Sequence, residues 1–500
     1  MFPAVVVALT ALAGVAACSG STERGAEPES APSPTPSLPA AAEAGDSRCP
    51  VQSGGGPAVS RIARGATDRP IVRLCFDVRS DRELVRGHES VVYVADERTC
   101  EAVFRAWPNK PDQSGSTSME VGNVLVDGRQ VEPKMQSAGA RTGAPGTLIR
   151  VPIPSCVRKD DEVRFDLDFR LRLGEDTDER VGTSEQHRIA WFGTAFPLLG
   201  WKHGDGWDTQ PAVPLFAETA VSETFELAEL AVVAPEGDTV FGAGEPLPTE
   251  PGPEPGSVLH RFQATGENAV RDVAVSVGRF DTAETEVDGV RVRAAVPSTG
   301  SAMPAERWAE ETAESIRELS DHFGEFPYDD LWVTVSPGVP SGVEFPGAIQ
   351  FGDMGPDEMP NLIPHEVAHQ WFYGLVGNDQ GQHPWLDESF ATYAESLVVD
   401  SQDDLLEYTA PGVVRHEVGR DVQWYAALDQ PSMYGAGVYL QGGRMLLEAR
   451  EAVGADRWDR LVREYLGEHA YEIATPDSLA EVLTDEPRAL QVLREYGALS

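Results

Sequence analysis

The sequence predicts a multidomain chain of β plus α+β class. An N-terminal β-sandwich-like domain over 48–280 is followed by a mainly helical domain over 281–500. Three observations predict this. The stretch Val163-Arg-Phe-Asp-Leu-Asp-Phe-Arg-Leu-Arg-Leu173 alternates apolar and polar residues strictly, the pattern of a half-buried strand. Gly, Pro and Asp punctuate the first half at short intervals, as the hairpins of a sandwich require. Beyond residue 280 the period lengthens, and Ala305 to Phe323 repeats its apolar residues as an amphipathic helix does. A chain of 500 residues is long enough for more than one core.

The elements follow in order. Val5 to Ala17 is an apolar, small-residue run too short to cross a bilayer, so 1–17 reads as a signal peptide. It ends in Val15-Ala16-Ala17-Cys18, which resembles a bacterial lipoprotein signal, although Met1-Phe2-Pro3 supplies no basic residue. The resemblance implies cleavage before Cys18, a lipid on Cys18, and an exported, extracytoplasmic protein anchored to the cell membrane. An ordinary cleaved secretory signal is the alternative. Residues 18–47 are rich in Ser, Pro, Ala and Glu, cannot bury enough apolar surface to fold, and read as a disordered tether. As a flexible coil it would span roughly 30 Å. Ile71–Val78 and Val91–Val94 read as strands, and 234–257 as a long loop or hairpin linker. In the second domain Val290–Val296 and Leu331–Val335 are expected strands, with helices near 361–376, 385–400, 405–420 and 434–453.

The net charge of −41 favours solubility and argues against nucleic acid as a partner, since phosphate binding needs basic patches. It suits cationic ligands such as peptides with a free amino end. Besides Cys18 the cysteines are Cys49, Cys75, Cys100 and Cys156. Four in an exported chain imply two disulfides in one of three pairings. None lies near the histidine motif described next.

Residues 365–369 read His-Glu-Val-Ala-His. At i and i+4 on a helix, His365 and His369 share a face and can address one metal ion. The flanks Val367, Ala368, Trp371, Phe372 and Tyr373 mark a buried helix, which rarely carries two His and a Glu without partners for them. A further Gly and third His in the metzincin pattern would fall at Phe372 and Leu375, which excludes that class. Glu388 supplies a third ligand from a second helix. The 18 residues between it and His369 include Gly374, Gly377, Asn378 and Gly381, which turn the chain back. One Zn²⁺ per chain is expected on His365, His369 and Glu388, with Glu395 on the same face positioned to accept the free N–H of a ligating imidazole.

Glu366 is the candidate general base toward a metal-activated water. The developing oxyanion needs one more donor, and Tyr434 and Tyr439 both lie downstream. Glu344, in Ser341-Gly-Val-Glu-Phe-Pro-Gly-Ala348, is a lone carboxylate in a short apolar segment and calls for a cation.

His365-Glu-Val-Ala-His-Gln-Trp-Phe372 and Trp385-Leu-Asp-Glu-Ser-Phe-Ala391 together resemble the aminopeptidase N family of gluzincin zinc metallopeptidases. Ser341 to Phe345 is similar to that family's exopeptidase motif, with Val343 and Phe345 in place of its usual Met and Asn or Tyr. Val438-Tyr-Leu-Gln-Gly442 resembles the segment bearing its oxyanion-stabilising tyrosine. The resemblance implies a thermolysin-like catalytic domain in a short form without the family's long C-terminal helical domain. It implies Glu344 as the anchor for a substrate's free α-amine, and Tyr439 rather than Tyr434 as the oxyanion donor. The expected activity is a zinc aminopeptidase acting on peptides with a free N-terminus. A zinc endopeptidase on the same scaffold, and an inert peptidase-like binding lipoprotein, are the alternatives.

Overall fold

The computed structural model describes residues 69–111, 116–175, 180–215, 221–263, 269–338, 341–355 and 361–500. The signal segment, the tether, Cys18 and Cys49 lie outside the described residues.

The first half is a β domain. Leu84–Val94 pairs along its whole length with Glu162–Arg172. On the latter strand Val163, Phe165, Leu167, Phe169 and Leu171 are all buried, as its alternation predicts. Ile71–Val78 joins the same sheet antiparallel to Leu84–Val94 and parallel to Phe225–Pro235. The sheet has ten strands, and two four-stranded sheets accompany it. Cys100 and Cys156 form a disulfide across the paired strands Thr99–Arg105 and Leu148–Val157. Cys75 is also disulfide-bonded. The stretch 234–257 is more than a linker: Thr239–Gly242, Glu245–Pro246 and Glu250–Pro251 are short strands paired into two of these sheets.

The second half opens with a five-stranded sheet. Its strands are β1 (Phe280–Val287), β2 (Val290–Pro297), β3 (Asp330–Ser336), β4 (Gly342–Phe345) and β5 (Ala348–Gly352), in the order β1-β2-β3-β5-β4. Helix α1 (Ala305–Phe323) covers one face, with Trp308 stacked on Phe351 at 4.9 Å. The other face turns toward the β domain: Ala295, Trp332, Val343, Phe345 and Ala348 belong to the β domain's hydrophobic core. Because side chains alternate along a strand, the burial of Val343 and Phe345 in that core sends Glu344 to the opposite side. The seam is also hydrogen-bonded, by Trp332 Nε1 to the Gly244 carbonyl at 3.1 Å and Arg69 to the Tyr471 carbonyl at 2.7 Å.

Helix α2 (Leu362–Ala368) carries the histidine motif and α3 (Trp385–Val398) carries Glu388. The helix expected over 361–376 ends at Ala368. Its last turn loosens through His369, and the chain reverses at Tyr373, whose φ is 122°. The expected helix over 405–420 is absent. A short helix, Gln402–Glu407, gives way to irregular turns because Pro411-Gly412 can neither donate to nor favour a helix there. The expected helix over 434–453 is composite: Ser432–Tyr434 is α-helical, Gly435–Leu440 winds as a π-helix, and α4 (Gln441–Val453) completes it. Among the described residues no helix is long and apolar enough to cross a membrane.

Candidate metal centre and active site

The two histidines and Glu388 converge. His365 Nε2 lies 3.3 Å from His369 Nε2 and 3.3 Å from Glu388 Oε2, and His369 Nε2 lies 3.4 Å from the same oxygen. Each imidazole spends its other nitrogen elsewhere. His365 Nδ1 meets Glu395 Oε2 at 2.8 Å, and His369 Nδ1 meets the Phe372 carbonyl at 3.0 Å. A carbonyl and a carboxylate only accept, so both Nδ1 atoms donate. In the neutral rings both Nε2 atoms then present lone pairs to each other and to a carboxylate oxygen. Three acceptors at this spacing repel unless a cation lies among them.

The spacing also identifies the kind of cation. Ligands ~2.05 Å from a tetrahedral zinc stand ~3.3 Å from one another. The nitrogen-nitrogen-oxygen set, its burial and the Glu395 support all fit such an ion. The charge distribution agrees. Burial resists a charge on His369, yet the carboxylates Glu344 and Glu388 push its pKa up to about 10. Burial likewise works against the Glu388 carboxylate, but His369 and His365 pull it well below its usual range. The site therefore calls for positive charge at its centre.

Glu366 faces the same space. It is buried, and its Oε2 has no hydrogen-bond partner among the described residues. Burial raises its pKa, with the two imidazoles opposing and Glu344 and Glu388 reinforcing. Carboxylate oxygens of Glu366 and Glu344 lie with a His369 nitrogen in one group, all within 4.8 Å of each other. Gly342 makes room for this. A Cβ there would sit 2.5 Å from Glu366 Cγ and 2.6 Å from its Oε1. On β4, Glu344 is only 5% exposed, so it is no solvent-facing edge carboxylate.

Tyr439 and Tyr434 separate clearly. The Tyr439 ring lies parallel to His365 with centroids 5.8 Å apart, and its hydroxyl hydrogen-bonds Glu388. Burial and the Glu388 charge hold that hydroxyl protonated, hence able to donate. Tyr434 sits behind it, packed edge-on between Tyr425 and Tyr439. The π-helical turn at Gly435–Leu440 carries Tyr439, and such turns recur at functional sites.

Four neighbours escape the sequence reading. Gln370 Oε1 accepts from Gly347 N at 2.9 Å, while its Nε2 donates to the Phe345 carbonyl at 3.1 Å. It thereby ties the turn after Glu344 to the end of the histidine helix. Gln380 Nε2 lies 2.9 Å from Asp387 Oδ2 and 3.4 Å from Glu344 Oε1. Arg180, from the β domain, reaches within 4.0 Å of Glu344 Oε1. Gly342 is the fourth. Only Gln370, one residue beyond the histidine motif, had a local signal. Gly342 and Gln380 lie close in sequence to Glu344 and Glu388 but take their roles from side chains that folding brings to them, and Arg180 comes from the β domain.

Residues 355–495 match a family model described as the Peptidase family M1 domain. Over 242 residues the chain is 23% identical to Aminopeptidase M1-B of Oryza sativa subsp. japonica, covering 43% of this chain and 27% of that protein. Over 141 residues it is 30% identical to Aminopeptidase N of Lactobacillus delbrueckii subsp. lactis, covering 25% of this chain and 16% of that one. The chain thus spans under a third of the length of these curated relatives. Its fold is similar to that of an M1 zinc metallopeptidase from Deinococcus radiodurans, with TM-score 0.61, 18% identity, and coverage of 86% of this chain and 94% of that one. A variant of that protein is described bound to a Tyr-Ser-Ala substrate, and matches with TM-score 0.60 at 17% identity over 87% of this chain and 96% of that one.

Proposed function

We propose that this chain, which belongs to the M1 family of zinc metallopeptidases, is an aminopeptidase that releases N-terminal residues from peptides. The observation that carries the reading is the acceptor triangle of His365, His369 and Glu388, with Glu366 and Glu344 both turned toward it. A zinc ion held by those three ligands would polarise the scissile carbonyl and lower the pKa of a bound water toward ~7. The remaining roles belong to side chains. Glu366 accepts the proton of the attacking water and returns it to the departing amine. Tyr439 donates its hydroxyl proton in a hydrogen bond to the carbonyl oxygen as negative charge develops there. Glu395 holds His365 in the tautomer that presents Nε2.

Glu344 anchors the substrate's α-ammonium and so sets the point of cleavage one residue from the chain's start. It is a buried carboxylate grouped with Glu366 and His369 that is neither a ligand nor the base, which leaves it for a cation. The Tyr-Ser-Ala peptide bound to the Deinococcus radiodurans relative supports a short peptide with a free amino end as the substrate class. Export and lipid attachment at Cys18 belong to the same proposal. They rest on the sequence Val15-Ala16-Ala17-Cys18 and are supported by the Cys100–Cys156 disulfide, a bond of oxidising compartments.

The test is hydrolysis of aminoacyl chromogenic substrates by wild type and Glu366→Gln, with and without chelator. Activity in the wild type, lost on chelation and restored by zinc, is the expected result. Activity that survives chelation overturns the metal mechanism.

A further inference from the structure

We propose that Arg180 is a positioning residue that sets the orientation of Glu344 and thereby the enzyme's demand for a free amino end; this rests on the aminopeptidase reading above. Arg180 belongs to the β domain, immediately before the strand Val181–Ser184, yet its guanidinium reaches across the seam to β4. It is 2% exposed. Its Nη1 donates to Thr194 Oγ1 at 3.2 Å, and Thr194 Oγ1 donates to Asp272 Oδ2 at 2.5 Å. The Val273 amide donates to the other oxygen of Asp272 at 2.7 Å. The guanidinium carbon lies over two rings, 5.1 Å from the centroid of Trp107 and 5.3 Å from that of Phe345. A planar, delocalised cation suits that slot better than an ammonium does.

With its faces and one edge so held, the guanidinium presents Nη2 to Glu344 Oε1 at 4.0 Å. That distance is a Coulomb contact rather than a hydrogen bond. Gln380 Nε2 approaches the same oxygen at 3.4 Å. Both groups turn a positively charged or donating nitrogen toward a carboxylate that is buried from water. Both approach Oε1, and the proposal gives the second oxygen to the substrate's ammonium. Two backbone features show that this corner is built under constraint. Thr194 is a β-branched residue at φ 49°, a conformation such residues rarely adopt. Gly193 lets the Phe345 ring lie against the backbone, because a Cβ there would stand 2.1 Å from it. Phe345 and Arg180 thus pack as one unit beside Glu344.

Arg180 cannot itself hold the amine, since both are cations. Its effect is confined to binding of the amino end, with little reach into the chemistry at the metal.

The experiment compares the zinc-loaded full chain with Arg180→Met, which keeps the apolar stem, Arg180→Lys, Thr194→Val and Glu344→Gln. The substrates are an alanyl and a glutamyl chromogenic amide. Arg180→Met is expected to raise KM for both about tenfold while kcat changes less than threefold. Arg180→Lys should recover part of that loss. Thr194→Val, which frees one edge of the guanidinium, should raise KM about threefold and keeps the test alive if Arg180→Met does not fold. Unchanged KM in Thr194→Val and in whichever Arg180 variants fold, with Glu344→Gln impaired, overturns the role of Arg180 alone. Unchanged KM in Glu344→Gln overturns the amine anchor and this inference with it. A loss confined to the glutamyl amide also overturns it, because Arg180 would then contact the substrate's side chain.

Discussion

The chemistry of this chain rests on a few side chains whose positions tolerate little error. In the proposed reaction Glu366 takes the proton of a water beside the metal, so Glu366→Gln should lower kcat by about a hundred- to ten-thousandfold while zinc content by atomic absorption stays near one per chain. Gly342 carries no functional group, yet a methyl there would collide with Glu366. Gly342→Ala should therefore lower kcat/KM at least tenfold, the scale expected when a reacting group moves by about an ångström. Steady-state assays beside a melting curve separate this from unfolding. These two residues also mark what a sequence can reveal. The ligands and Glu366 were legible because helical spacing alone puts His365 and His369 on one face. Gly342 and Arg180 were not, because their roles depend on neighbours 24 and 164 residues away. No local pattern encodes such pairings.

Two short helices and an edge strand hold the site together. Helix α2 ends at its own second ligand, and α3 returns Glu388 to it. The turn after β4 is locked to α2 by both ends of the Gln370 amide. Gln370→Ala would leave the Gly347 amide and the Phe345 carbonyl unpaired in a buried place. It should destabilise the fold by about 2 kcal/mol or more in urea unfolding, and raise KM through Glu344. At this scale the strands and α1 were readable because alternation and amphipathic period are strong signals. The helix expected over 405–420 is absent because Pro411 and Gly412 interrupt it, a matter of backbone chemistry and not of apolar spacing. The π-turn at Gly435–Leu440 had no pattern of its own, and it is the element that delivers Tyr439.

At the scale of the whole molecule, the five-stranded sheet is a wall shared by two cores. One of its faces packs with the helices and the other with the β domain. The corner proposed to bind the amine therefore draws on both domains, although His365, His369 and Glu388 all come from one. A consequence appears in the pH dependence of stability. Burial pushes the Asp272 carboxyl up to about 6, against the hydrogen bond from Thr194 and the charge of Arg180. A folded-state value above the unfolded ~3.9 means that the fold favours the protonated form. Its contribution is complete below about pH 4 and is lost as pH rises toward about 6. Asp272→Asn should flatten the urea midpoint between those values relative to wild type. Metal removal is a second global test. Zinc at a thousandfold excess over its Kd stabilises the native state by about 4 kcal/mol, so chelation should lower Tm by several degrees and zinc should restore it. The demand for a free amino end is measured with one peptide in two forms, free and N-acetylated, incubated with the zinc-loaded enzyme. Stepwise release of the first residue from the free form is expected, with at least a hundredfold slower cleavage of the acetylated one. Equal rates on the two forms would contradict it.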